Sequence, residues 1–98
     1  MILQDILYKV SIRSIKGNTN VVVNNLLIDS RQVKSGDCFI AIKGTKTDGQ
    51  EYIESAAEKG VSVIVCENLP AVINDNITYV QVENAAEAAG YMSHNFYG

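Results

Sequence analysis

The chain has 98 residues, a mass of 10.7 kDa and a formal net charge of -3 at pH 7. This length fits one domain, residues 1–98, and a content of 47% hydrophobic and 19% charged residues is typical of a globular chain. The length excludes a large multidomain enzyme within these residues. A pI near 4.9 argues against a nucleic-acid-binding module, which normally presents a basic face.

Neither a membrane span nor a secretory signal is expected. The longest apolar run has about five residues, far fewer than the ~20 that cross a bilayer. Residues 1–5 carry no basic region and no long apolar stretch, so they do not resemble a signal peptide. Cys38 and Cys66 lie in apolar, strand-like contexts, which favours two reduced core thiols in a cytoplasmic protein over a disulfide between them.

The first third of the chain predicts a short helix and a β-hairpin. Apolar residues recur at helical spacing over residues 2–8, which predicts a short amphipathic helix. A roughly alternating strand follows over residues 10–15, and residues 16–20 have strong turn chemistry. The apolar runs at 21–23 and 26–28 predict the return strand of a hairpin, with a bulge or break at the two asparagines between them.

The middle of the chain predicts a βαβ unit. Residues 38–42 form a continuous apolar strand, which indicates burial on both faces of a sheet. An amphipathic helix with an apolar stripe at Tyr52, Ile53, Ala56 and Ala57 ends before Gly60, and residues 61–65 form a second buried strand. A strand, a helix and a strand in this order imply parallel pairing and a right-handed crossover.

Two capping signals place the starts of the helices. Asp48 and Glu51 have the spacing of a capping box, with a cap at Gly49 as the alternative, and Asn84 and Glu87 repeat the spacing. A strand is expected over residues 78–82. The second capping signal follows it and marks the start of a helix that runs to position 96. The expected fold class is therefore α/β, a mixed β-sheet with a βαβ unit and flanking helices.

Several catalytic motifs are absent from the sequence. There is no Gly-x-x-x-x-Gly-Lys-Ser/Thr loop for nucleotide phosphates and no Cys/His cluster at zinc spacing. The only histidine, His94, is expected to be a solvated surface residue. The sequence therefore contains no self-contained catalytic site.

Two segments are candidates for ligand binding. Residues 28–31 end a strand in Asp-Ser-Arg, where an Asp29–Arg31 pair can brace a turn or where Ser30, with an exposed hydroxyl, can point into a cleft. Residues 43–49 follow a buried strand, at the sheet edge where α/β proteins bind ligands. Their glycines, threonines and two lysines suit an anion, although an ordinary βα loop is the alternative.

An ordered series of short motifs carries a family resemblance. The motifs are Asp29-Ser30-Arg31, Val33-Lys34-Ser35-Gly36-Asp37, Phe39-Ile40-Ala41-Ile42-Lys43-Gly44, Asp48-Gly49, Tyr52-Ile53, Ala56-Ala57, Gly60 and Phe96-Tyr97-Gly98. Over residues 22–98 this series resembles the N-terminal domain of the Mur ligases. In that family this domain holds the uridine diphosphate end of a UDP-muramoyl-peptide.

The resemblance implies specific site residues. The substrate contacts map onto Ile28, Ser30, Thr45, Lys46 and Thr47. The residues that shape the site map onto Asp29, Arg31, Gly44, Asp48 and Gly49. No catalytic residue and no metal ligand is implied within this chain.

The resemblance also implies a longer, cytoplasmic protein. The full-length protein would be an ATP-dependent carboxylate–amine ligase that adds the third residue of the peptidoglycan stem peptide to a UDP-muramoyl-dipeptide. ATP and Mg²⁺ are implied for that enzyme and no cofactor for this domain, which is expected to be inactive alone. The expected partners are the substrate and the central and C-terminal domains beyond Gly98, with no nucleic acid and no membrane insertion. The alternatives are the equivalent domain of the D-alanyl-D-alanine-adding ligase and a free-standing α/β binding module.

Overall fold

A mixed β-sheet forms the centre of the computed structural model, which describes residues 1–44 and 48–98. The elements in chain order are α1 (Leu3–Ile6), β1 (Ile12–Lys16), β2 (Leu26–Leu27), β3 (Cys38–Ile40), a 3-10 turn (Gly49–Tyr52), α2 (Ile53–Glu58), β4 (Val63–Cys66), β5 (Thr78–Val82) and α3 (Ala85–Tyr97). The strand order is β1-β5-β4-β3-β2, with β2 to β5 parallel and β1 antiparallel to β5. The expected α/β class with a mixed sheet is confirmed.

Helices cover both faces of the sheet. Because successive strand residues point to opposite faces, nearly every residue of β3, β4 and β5 is buried against one helix layer or the other. Cys38 and Ile40 of β3 join one apolar cluster, which packs under α1 and α3. Phe39 and Ala41 join a second cluster, which packs under α2. Strands β4 and β5 divide between the clusters in the same way. This division explains the near-continuous apolar runs of the sequence.

The predicted βαβ unit is confirmed as β3, α2 and β4. The register pairs Cys38 with Val63 and Ile40 with Val65 in parallel. Helix α2 ends where expected, because Gly60 takes a φ of +86°, which L side chains rarely adopt.

The predicted hairpin is wrong, because β1 and β2 lie at opposite edges of the sheet. Strand β1 pairs with β5, and β2 pairs with β3. The apolar run at 21–23 instead contacts the N-terminus: the Leu3 amide donates to the Val21 carbonyl at 2.8 Å, and the Val23 amide donates to the Met1 carbonyl at 2.8 Å. Alternation of apolar residues indicates that a segment is extended, but it does not select the partner strand.

Both capping signals mark the start of a helical element. The Asn84 side chain accepts a hydrogen bond from the Glu87 amide, and α3 begins at the next residue, Ala85. The Asp48 side chain accepts from the Gln50 amide and caps the 3-10 turn, so the cap is Asp48 and not Gly49. No helix among residues 1–44 and 48–98 combines the length and the apolar composition needed to cross a membrane.

The two cysteines are buried, free thiols. Burial raises the pKa of both, that of Cys66 to about 11. Both therefore remain protonated near neutral pH, as expected for core thiols.

Candidate functional site

The two candidate segments meet because β2 and β3 are parallel neighbours. Leu26 pairs with Cys38 and Leu27 with Phe39, so the strands end at the same edge of the sheet. Residues 28–31 leave β2 at that edge, and residues 41–44 leave β3 beside them. Ligands of α/β proteins commonly bind at the carboxyl ends of parallel strands.

A cleft of about 390 Å³ lies between these segments. Its lining residues are Ile28, Asp29, Ser30, Arg31, Ile42, Gly49 and Tyr52. The structure therefore brings together five of the ten residues singled out from the sequence. Gly44 and Asp48 lie close in sequence but do not line the cleft, and Thr45, Lys46 and Thr47 lie outside the described residues.

An internal ion pair shapes the turn at residues 29–31. The Arg31 guanidinium donates two hydrogen bonds to the Asp29 carboxylate, Nε to Oδ1 at 3.0 Å and Nη2 to Oδ2 at 2.8 Å. The Arg31 backbone amide also donates to Asp29 Oδ1 at 2.9 Å. These bonds lower the pKa of Asp29 to about 2 and raise that of Arg31. The predicted bracing role of this pair is confirmed, and Asp29 and Arg31 also border the cleft.

Ser30 is more enclosed than the sequence suggested. Its exposed fraction is 7%, whereas an exposed hydroxyl was expected. The turn directs Ser30 inward while Ile28 remains 63% exposed and Arg31 points to solvent. The carbonyl oxygen of Ser30 accepts a hydrogen bond from Lys59 Nζ at 2.8 Å.

Residues 41–43 and 48–50 form a narrow two-stranded ribbon that separates two cavities. An antiparallel bridge joins Lys43 to Asp48, and the Gly49 amide donates to the Ile42 carbonyl at 2.9 Å. Ile42 and Gly49 line the cleft described above. Their neighbours Lys43, Asp48 and Gln50 line a separate cavity of about 140 Å³, beside Glu67. The cationic role expected of Lys43 is therefore not placed in the same cleft as Ser30.

Gly49 allows the ribbon to close. A Cβ atom at this position would lie 2.6 Å from Ile42 N and 2.9 Å from both Ala41 Cα and Ile42 O. These are backbone atoms, which cannot rotate away as the end of a side chain can. A glycine therefore fits this close approach of the two backbone segments, where a larger residue would clash.

Tyr52 and Ile42 belong to the cleft but were assigned to the core from the sequence. Tyr52 was placed on the apolar stripe of a helix, and yet 41% of its surface is exposed. The reason is that residues 49–52 form a 3-10 turn, with three residues per turn, so the 3.6-residue stripe does not extend back to Tyr52. The position of Tyr52 close to the Asp48-Gly49 motif could have indicated from the sequence that Tyr52 lines the cleft.

A larger cavity lies elsewhere in the fold. It measures about 540 Å³ and lies between residues 8–9 and α3, with Tyr91 and His94 in its lining. His94 is exposed, as predicted from the sequence. None of the described residues proposed for ligand binding lines this cavity, so its size alone does not make it the candidate site.

The cleft offers binding groups rather than proton transfer. Asp29 and Arg31 carry opposite charges at neutral pH, and their pairing moves both pKa values further from neutrality. Exposed Ile28 and Tyr52 provide apolar surface beside these polar groups. In residues 1–44 and 48–98 there is no group of three or more His, Cys, Asp or Glu side chains that could hold a metal ion. The arrangement suits a ligand with both a flat apolar part and hydrogen-bonding groups.

Comparison with known proteins identifies relatives over the whole chain. A protein of Bacteroides fragilis named UDP-N-acetylmuramoyl-L-alanyl-D-glutamate--2,6-diaminopimelate ligase is 44% identical over 98 residues, which are 100% of this chain and 20% of that protein. A protein of Cytophaga hutchinsonii with the same name is 41% identical over 98 residues, covering 99% of this chain and 20% of the relative. The chain thus spans about a fifth of the length of the curated relatives it matches.

Solved structures share the fold. A crystal structure of MurF from Acinetobacter baumannii superposes with a TM-score of 0.66 at 26% identity, covering 74% of this chain and 16% of that one. A family model described as "Mur ligase family, catalytic domain" matches residues 22–97. The match spans most of the sheet and the whole of the cleft, and the chain belongs to the Mur ligase family.

Proposed function

We propose that this chain is the domain that binds the UDP end of UDP-N-acetylmuramoyl-L-alanyl-D-glutamate in a ligase that adds the third amino acid of the peptidoglycan stem peptide. The observation that carries the proposal is the cleft, where residues 28–31 meet Ile42, Gly49 and Tyr52. The names of relatives that are 37–44% identical over the chain support this substrate, and favour 2,6-diaminopimelate as the amino acid added.

The chemistry of the cleft fits a uridine nucleotide. Ile28 and Tyr52 offer exposed apolar surface for a flat ring, and Ser30 and nearby backbone groups offer hydrogen bonds. The family resemblance adds Thr45, Lys46 and Thr47 as proposed substrate contacts.

The proposed enzyme joins a carboxylate to an amine with the energy of ATP, which activates the carboxylate as an acyl phosphate. We propose that the residues for ATP and Mg²⁺ lie elsewhere in the full-length protein, since the sequence of this chain lacks the Gly-x-x-x-x-Gly-Lys-Ser/Thr loop. Its contribution is binding energy from a remote part of the substrate, which orients the reacting end on the rest of the protein. We therefore propose that the domain alone has no ligase activity. We also propose that the full-length enzyme acts in the cytoplasm.

A second candidate is the equivalent domain of the D-alanyl-D-alanine-adding ligase. It has support from the Acinetobacter baumannii structures, one of which is titled as that ligase and superposes with a TM-score of 0.65 at 26% identity. The third-residue ligases match more of the chain at higher identity, so we favour the first proposal.

Titration of the isotopically labelled 98-residue chain with UDP tests the proposal. We expect millimolar UDP to shift the backbone amides of residues 28–31 and 48–52, whereas those around Tyr91 on α3 remain unchanged. ADP at the same concentrations tests recognition of the base, and we expect weaker shifts. The absence of shifts in the cleft at millimolar UDP would contradict the proposal.

Two matched variants locate the site. Ile28→Ala removes an exposed side chain from the cleft, and Val72→Ala removes one that is 83% exposed and lines a different cavity. We expect Ile28→Ala to raise the Kd for UDP roughly three- to tenfold through lost apolar contact, and Val72→Ala to leave it unchanged. Equal affinities for the two variants would exclude the cleft as the site.

A further inference from the structure

Lys59 connects helix α2 to the turn that lines the cleft. Tyr52, the N-cap of α2, lines the cleft directly, and Lys59 is the C-cap of the same helix. The Lys59 ammonium donates a hydrogen bond of 2.8 Å to the carbonyl oxygen of Ser30, which is 29 residues away in sequence. The N-cap of this short helix therefore lines the cleft, and its C-cap contacts the turn that borders the cleft.

The turn at residues 29–32 is otherwise held by bonds within itself. The Gln32 amide donates to the Asp29 carbonyl at 3.0 Å, and the Arg31 amide and guanidinium donate to the Asp29 carboxylate. Within the described part of the chain, the bond from Lys59 is the one hydrogen bond that joins this turn to another element. Asp29 therefore sets the shape of the turn, whereas Lys59 helps to set its place.

The chain between this turn and β3, residues 33–37, is attached differently at its far end. The Gly36 amide donates to the Gly60 carbonyl at 3.1 Å, and the Ser62 amide donates to the Asp37 carbonyl at 2.9 Å. Backbone bonds thus fix the segment where it enters β3, and a side chain fixes it where it borders the cleft. Lys59 itself is exposed, so replacing it leaves no cavity in the core.

We propose that Lys59 is a positioning residue for ligand binding, which holds the Ser30 turn against α2 so that the cleft keeps its width. The inference rests on the proposed function, because it concerns the same cleft. It predicts that loss of the Lys59 ammonium weakens binding without loss of the fold.

Three variants of the 98-residue chain and two ligands test this role. Lys59→Met removes the ammonium and keeps the aliphatic stem, Lys59→Arg retains a donor, and Lys16→Met removes an exposed charge at the other edge of the sheet. UDP and neutral uridine are titrated into each. Uridine separates positioning from charge attraction, since a purely electrostatic effect of Lys59 would act on the diphosphate alone.

We expect Lys59→Met to raise the Kd of both ligands by the same factor, about three- to tenfold, with a thermal midpoint close to that of Lys16→Met. Lys59→Arg should restore affinity to within about twofold. If Lys59→Met raises the Kd of UDP but not that of uridine, the positioning role is wrong while the proposed function stands. The same conclusion follows if Lys59→Met changes neither Kd. If the unaltered chain binds neither ligand, the proposed function fails, and this inference fails with it.

Discussion

Gly49→Ala tests the steric argument for the ribbon that separates the two cavities. The added Cβ would lie 2.6 Å from Ile42 N, whereas ordinary contact begins near 3.4 Å, so the two backbone segments must separate by about 0.8 Å. That movement also stretches the 2.9 Å hydrogen bond from the Gly49 amide to the Ile42 carbonyl. Overpacking of this kind costs about 1–3 kcal/mol, and a weakened hydrogen bond adds up to about 1 kcal/mol. We expect a loss of about 2–3 kcal/mol in the free energy of unfolding.

Gly90→Ala is the matched control, because it makes the same chemical change in open space. Gly90 lies inside α3, and its Cβ would meet nothing within 4 Å. Alanine favours a helix interior, so this variant should gain about 0.5–1 kcal/mol. Urea unfolding followed by circular dichroism measures both variants, with an unchanged m-value as the check that they remain two-state.

The decisive outcome is that Gly49→Ala lowers the free energy of unfolding whereas Gly90→Ala raises it. A Gly49→Ala variant as stable as the unaltered chain would refute the steric reasoning, and so would a stability change equal to that of Gly90→Ala. We also expect Gly49→Ala to weaken UDP binding, since the ribbon that moves lines the cleft.

Three further predictions concern a cap, a turn and the core thiols. Asn84→Ala removes the side chain that accepts the Glu87 amide and should cost about 1 kcal/mol in urea unfolding, whereas no change would exclude a working cap. The folded state lowers the pKa of Asp29 to about 2 from its ordinary 3.8, so the stability it contributes is complete above about pH 4 and is lost as the pH falls towards 2. An Asp29→Asn variant should therefore lose less stability over that range than the unaltered chain, and identical acid titrations would contradict the effect. Cys38 and Cys66 should react with a thiol reagent near neutral pH only after denaturation, and rapid labelling of the native chain would show that their burial is wrong.

Local signals predicted the elements that local chemistry controls. Strand β5 occupies residues 78–82 as expected, because these residues are mainly β-branched or aromatic and polar segments bound them on both sides. Helix α3 begins after Asn84 because an asparagine cap is a property of neighbouring residues. The Asp29–Arg31 pair also forms as predicted, since the two side chains are only two residues apart.

Pairings between distant segments could not be predicted in the same way. The expected hairpin placed β1 beside β2, but β1 pairs with β5, and the Thr78 hydroxyl donates to the Asn18 carbonyl at 2.7 Å in the turn after β1. The alternating pattern at residues 10–15 correctly predicts an extended segment, but it does not indicate which strand pairs with that segment. Contacts 60 residues apart depend on how the whole sheet assembles.

Apolar patterning predicts the α/β class, and short motifs predict the family and the two segments of the candidate site. Which residues of those segments share one cleft depends instead on contacts between distant parts of the chain. The ribbon geometry sends Ile42 and Gly49 to the cleft and Lys43 and Asp48 to another cavity, and the 3-10 turn brings Tyr52 out of the core. The bond from Lys59 to Ser30 joins segments 29 residues apart, and no local pattern encodes it. The parallel pairing of β2 and β3 ends both strands at one edge of the sheet, and that pairing places the cleft where we propose that the ligand binds.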